Sequence, residues 1–176
     1  FFNSGYSLFW LNDGAGGNGF NANMGITIVP FQWNHIVVTR TAGTTRCWTN
    51  GKIRVDGWSA GSMNSSKRHL CVATNRATAD GVPGYITGFE FINGTSLYTT
   101  GTNFTPPSSP PVPVANTVVL LNFTDSSILD YSNKNNIQTV ADSKSNNSIS
   151  KFNGSSIWSD SSGDYLRMNP LPIQTL

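Results

Sequence analysis

The chain has 176 residues, enough for one full core, or for one domain and part of another. Charged residues make up only 11 % and the formal net charge is +2, with Lys67-Arg68-His69 as the one local basic cluster, so no phosphate-tracking surface and no nucleic-acid partner are expected. No stretch approaches the roughly 20 apolar residues of a membrane span, and no run has the Ala, Glu, Lys and Leu spacing of a long amphipathic helix.

Residues 6–11 and 24–29 read as strands, separated by a Gly-rich loop from Asp13 to Gly19. Asn34 to Arg40 is strongly β-branched, Thr41 to Thr44 turns the chain, and Thr45 to Thr49 forms a partner strand ending at Asn50-Gly51. That dipeptide is the strongest hairpin signal in the chain, because both central positions of a type I′ turn need positive φ. Lys52 to Val55 is the expected return strand, followed by a loop Asp56-Gly57-Trp58-Ser59. Leu70 to Thr74 reads as a short strand, and Tyr85 to Ile92 as a longer one with Tyr85, Thr87, Phe89 and Phe91 on one side. Residues 105–113 carry five prolines and fit neither a sheet interior nor a helix. Strand structure restarts over Val118 to Phe123. An apolar alternation around Ile137 to Val140, then Ser156-Ile157-Trp158 and Tyr165-Leu166, completes the pattern. Short strands punctuated by turns and no credible helix predict an all-β fold, an antiparallel two-sheet jelly-roll sandwich.

Five motifs then occur in order with sensible gaps. They are Trp33 to Arg40, Trp48 to Lys52, Gly84 to Gly94, Leu97-Tyr98, and Asn103 to Pro107. Over residues 24–107 the chain resembles the later part of laminin-G-like, concanavalin A-like lectin/glucanase modules, departing from them at Glu90, where such modules often carry a basic residue. Val119 to Asp125, Asp130-Tyr131-Ser132, Ser150 to Ser156 and Gly163 to Leu166 resemble the opening of such a module. The expected organisation is therefore residues 1–105 as later strands of one sandwich, 106–117 as a Pro-rich linker, and 118–176 as the opening of a following module or a permuted completion of the same sandwich. The resemblance implies a role as one of a tandem series in tail-fibre, appendage or other virion proteins, or on a cell surface. The low charge and the Asn, Ser and Thr content suit work outside a cell. Beginning on Phe1 rather than Met, the chain reads as a fragment or processed piece of a larger, oligomeric protein.

Because the resembled superfamily includes glucan hydrolases, catalysis is a question for the carboxylates. Retaining hydrolysis needs two of them about 5 Å apart, which the laminarinase branch supplies as Glu-x-Asp-x-x-Glu. This chain has a single Glu, Glu90, with no carboxylate within nine residues on either side, and no enzyme is expected. His35, beside Trp33 in an apolar strand, reads as a packed, hydrogen-bonded residue, and neither it nor His69 has a partner at zinc-site spacing. Cys47 and Cys71 are not required by their spacing to pair and read as buried or half-buried free thiols. No cofactor is expected. Calcium, which some relatives bind, finds one carboxylate in the loop Asn12 to Asn18 and another at Asp80, short of the several carboxylates of a usual calcium site. The remaining signal is binding of glycans or of neighbouring structural proteins, as a structural and adhesive module or as a dedicated lectin. Trp33 and Trp48 are expected in the core and Trp58 as the exposed aromatic platform, with Asp13, Asn18 and Asp80 supplying hydrogen bonds from loops. Asn64, Asn93, Asn103, Asn122, Asn146 and Asn153 begin Asn-x-Ser/Thr sequons.

Overall fold

A computed structural model of the chain describes residues 8–11, 20–23, 28–59, 83–124, 126–152, 154–160 and 163–170. Among them there is no helix, and every strand pairing is antiparallel. The chain divides into two compact units, one of Phe1–His69 with Ser96–Pro106, the other of Leu70–Thr95 with Pro107–Leu176. The division at Pro106 falls in the proline run. Of the described residues before that run, 83–95 belong to the second unit, with the segment after the run.

In the first unit β1 (Leu8–Leu11) pairs with β2 (Phe20–Asn23), while residues 24–27 of the strand expected over 24–29 lie outside the described residues. A three-stranded sheet then runs through β3 (Ile36–Thr41), β4 (Thr44–Thr49) and β5 (Lys52–Ser59). Both of its hairpins close through two residues with positive φ, Ala42 (48°) with Gly43 (82°) and Asn50 (51°) with Gly51 (74°). This is the turn geometry whose twist matches that of the flanking strands. The Asn50 side chain reinforces its own turn by accepting from the His35 N–H at 2.8 Å, while the Asn50 N–H donates back to the His35 carbonyl.

Trp48 and Cys47 on β4 are fully buried, on opposite faces of the sheet. Residues 96–106 return to close over the Trp48 face. The Trp48 Nε1–H donates to the Thr102 carbonyl at 2.9 Å, the Phe104 N–H to Gly51 O at 2.8 Å, and the Ile53 N–H to Asn103 Oδ1 at 3.0 Å. Tyr98 and Phe104 stack 4.3 Å apart beside the indole, and the His35 ring meets Phe104 edge-on at 5.8 Å.

The second unit holds β6 (Gly84–Ile86), β7 (Phe89–Ile92), β8 (Thr117–Leu121), β9 (Asn135–Val140), β10 (Lys144–Asn146), β11 (Ser156–Ser159) and β12 (Tyr165–Pro170). They form three small sheets, ordered β10-β11-β6, β12-β9 and β7-β8. Val119, Leu121, Phe123 and Ile157 make the buried core, with Ile86, Phe89, Ile137, Leu166 and Met168 packed around it. The single strand expected over 85–92 is broken into β6 and β7, which join different sheets. Gly88 supplies the corner at φ 64°, and the Thr87 hydroxyl fastens it to the Asn122 and Ser155 carbonyls. Strands from before and after the proline run share these sheets, β7 lying beside β8 and β6 beside β11.

On the far edge of β8 the segment Asp130 to Asn135 folds around one buried carboxylate. Asp130 accepts from the N–H groups of Leu120 and Ser132 (both 2.9 Å) and Asn135 (3.0 Å), from the Ser132 hydroxyl (2.7 Å) and from the Asn135 amide (2.7 Å). The Lys134 ammonium bonds the Thr117 carbonyl, and the Thr117 hydroxyl donates to Glu90 Oε1 at 3.0 Å. Burial alone would raise the Asp130 pKa, but the N–H and O–H donors outweigh it and hold the carboxyl below its ordinary range.

Candidate functional site

The β-strand register builds a row of side chains across the β10-β11-β6 sheet. Lys144 stands opposite Trp158, and Trp158 opposite Tyr85. The adjacent row, Ser145, Ile157 and Ile86, puts Ile157 in the core with Ile86 packed against it. Successive strand residues point to opposite faces, so Lys144, Trp158 and Tyr85 line the face turned away from that core. Trp158 and Tyr85 are half-buried and Lys144 is exposed. The Lys144 ammonium lies 4.7 Å from the indole centroid, drawn by the negative face of the ring.

Three carboxylates lie beside this row, where β10 begins and β11 ends. Asp142 precedes Lys144 by two residues and Asp160 follows Trp158 by two, so the antiparallel register brings both to the same end, where Asp164 joins them just before β12. Oxygens of the three lie within 4.8 Å of one another. Asp164 is buried, 6 % exposed, and accepts from the Asp142 N–H at 3.1 Å and the Asp160 N–H at 2.9 Å through its two separate oxygens. It thereby fixes the two turns that present Asp142 and Asp160 to solvent. Burial opposes ionisation of Asp164, yet these N–H bonds and the bond from the Asp142 carboxyl hold its pKa down. Asp142 is pushed the other way, first by its hydrogen bond to Asp164, then by burial and by the charges of Asp164 and Asp160. When the group takes up a proton, Asp142 therefore accepts it ahead of Asp164.

At the other end the Ser156 hydroxyl donates to the Ile149 carbonyl at 2.6 Å, and Asn146 Oδ1 accepts from the N–H groups of Ser148 and Ile149. These bonds tie the turn after β10 to the start of β11.

The sequence placed its candidates elsewhere. Asp13, Asn18 and Asp80 lie outside the described residues, as do Cys71 and the strand expected over Leu70 to Thr74. Residue 58 belongs to β5 and not to a loop, its backbone opposite Thr45. The strand runs on because a β-bulge, with Gly57 at φ 91°, absorbs the turn-like pair Asp56-Gly57 opposite Arg46, and Arg46 Nε pairs with Asp56 Oδ1 at 2.7 Å. Trp48 fills the core as expected, whereas Trp33 is half-buried just ahead of β3.

His35 makes its hydrogen bonds through its backbone. Its ring packs on Phe104, Nδ1 has no partner among the described residues, and burial lowers its pKa. Cys47 is a buried free thiol pushed up to about 12 by burial against the opposing charge of Arg54, which leaves it inert at neutral pH. Three of the sequon asparagines accept hydrogen bonds through their side-chain oxygens, Asn122 and Asn146 from nearby residues and Asn103 from the Ile53 N–H.

Trp158 and Tyr85 were named in the sequence only as strand residues. The signal that unites them is cross-strand register, which one strand read alone does not contain. No family model matches the sequence, and no curated protein or solved structure matches the chain.

Proposed function

We propose that the chain is a non-enzymatic structural and adhesive module of a larger virion or cell-surface protein, built as a concanavalin A-like jelly roll and holding surface glycans. The observation that carries this reading is the outward row Lys144, Trp158 and Tyr85 with exposed carboxylates beside it. Aromatic faces beside hydrogen-bonding carboxylates are the chemistry that sugars need, and here they rest on a sheet whose other face is anchored in a core. A rigid β scaffold with few charges and many amides and hydroxyls suits repeated use outside a cell.

The carboxylate trio does not suit hydrolysis. Glycosidic cleavage needs two carboxyls flanking the bond at about 5 Å or more. Asp142 and Asp164 instead hydrogen-bond to each other, leaving no room for a glycosidic oxygen between them, and both Asp164 oxygens already accept backbone N–H groups. Glu90 is engaged by Thr117.

A glycan array probed with the full chain tests the reading. Retention of glycans whose chain length is unchanged on recovery supports it. Shortened products would replace it with a hydrolase, and no retention would remove the glycan role. Competition by one free monosaccharide would favour the second reading, a dedicated lectin with a defined sugar site, for which the localised row speaks.

A further inference from the structure

Independently of the glycan reading, we propose that Asn93 is a site of spontaneous covalent modification, where the Asn93-Gly94 pair closes to a succinimide and reopens as an aspartyl or isoaspartyl residue. Asn-Gly pairs begin at Asn18, Asn50, Asn93 and Asn153, and the structure describes both residues at Asn50-Gly51 and at Asn93-Gly94. In each of these the side-chain amide is followed by a glycine nitrogen that no Cβ hinders. Both asparagines are exposed, and both follow a β-branched residue, Thr49 or Ile92. Neither solvent access nor local sequence therefore separates them. Hydrogen bonding does.

At Asn50 both ends of the side-chain amide are held. Oδ1 accepts from the His35 N–H at 2.8 Å, and Nδ2 donates to Asn34 Oδ1 at 3.2 Å. The Phe104 carbonyl oxygen also fills the space beside Gly51, 1.9 Å from where a Cβ would lie. Asn93, just after β7, is anchored only by its backbone, whose N–H donates to the Asn116 carbonyl at 3.1 Å. Its side-chain amide and the Gly94 N–H have no hydrogen-bond partner among the described residues. Gly94 stands at φ 95°, and the nearest atom to a Cβ there would be Asn116 Nδ2 at 3.9 Å. The Asn93 amide can thus swing onto the Gly94 nitrogen without breaking a hydrogen bond.

Hydroxide removes the Gly94 N–H proton, and the nitrogen attacks Asn93 Cγ. The Cγ–Nδ2 bond breaks, and Nδ2 leaves as ammonia after taking a proton from water, which restores the hydroxide. Water then adds to either imide carbonyl. Opening at Cγ gives the aspartyl residue, and opening at the main-chain carbonyl gives the isoaspartyl residue, whose backbone is longer by one carbon. Either product carries a carboxylate where the amide stood. The isoaspartyl form also lengthens the chain beside the Asn93-to-Asn116 bond that follows the β7-β8 pair.

The test holds the full chain in warm, mildly alkaline buffer, with and without concentrated urea, and follows each site by peptide mapping with mass spectrometry and isoaspartate-specific methylation. In the folded chain Asn93 is expected to convert at least about tenfold faster than Asn50, which must first break two hydrogen bonds. Isoaspartyl product should appear at Asn93, and urea should bring the two rates together. Equal rates in the folded chain, or conversion of Asn50 ahead of Asn93, would overturn the proposal. So would a lead of Asn93 that persists undiminished in urea, since sequence and not fold would then set it. Conversion without any isoaspartyl product would overturn the cyclic route.

Discussion

Asp130 collects five close donors around a carboxylate that is only 7 % exposed, and no neutral side chain accepts as many. Replacing it with Ala strands those donors and is expected to cost about 3 kcal/mol, read from urea unfolding. Its folded pKa lies below the unfolded value, so its contribution is fully present above about pH 4 and is lost as pH falls through the folded pKa. The urea midpoint should therefore drop on acidification below about pH 4, and the drop should shrink in Asp130→Asn. Asp142 and Asp164 pull in opposite directions. Asp142, with a raised pKa, is strained as an anion at neutral pH, and Asp164 is stabilised as one. Thermal melts at pH 7 should show Asp142→Asn unchanged or more stable, and Asp164→Asn less stable, because only the second loses an acceptor for two backbone N–H groups. Asp130 and Asp164 were visible in the sequence only as members of short motifs. Their work depends on donors from other elements, Leu120 in one case and Asp142 and Asp160 in the other, which no local pattern announces.

Hairpins are the elements most fully written in the local sequence. Asn50-Gly51 adopts the positive φ pair that its composition calls for, and the residues flanking it pair as expected. Gly51 has a second constraint, since a Cβ there would lie 1.9 Å from the Phe104 carbonyl oxygen. Gly51→Ala should therefore lower stability by about 2 kcal/mol or more, measurable by chemical denaturation. It should do so more than Gly43→Ala, where positive φ is shared but the space is open among the described residues. Where the sequence misled, a glycine was the cause. Gly57 looks like a loop residue and sits in a bulge that lets β5 continue, while Gly88 looks like a tolerated strand glycine and breaks the strand into β6 and β7. Positive φ serves a turn, a bulge or a corner equally well, and only the pairing partners decide among them.

On the scale of the whole molecule, the strands before the proline run are needed by those after it. β7 covers one edge of β8 and β6 completes the sheet of β11, with Phe89 and Ile86 against the core of Val119, Leu121, Phe123 and Ile157. A fragment of residues 107–176 lacks both strands and exposes that core. It is expected to lack the circular dichroism of a folded sheet, and a peptide spanning 83–95 added in excess should restore part of it. A fully folded 107–176 fragment would show that β6 and β7 are dispensable.

The sequence by itself determined that the fold is all-β, that its strands are short and antiparallel, where the tight hairpins turn, and that Trp48 is internal, because hydrophobic alternation and turn chemistry act within a few residues. Tertiary structure alone decided that β6 and β7 join the later segment, that Asp142, Asp160 and Asp164 meet, and that Lys144, Trp158 and Tyr85 stand in one row. Each of these depends on which strand lies beside which. Pairing between distant strands is set by burial of a shared core, a quantity that belongs to the folded chain and not to any window of it.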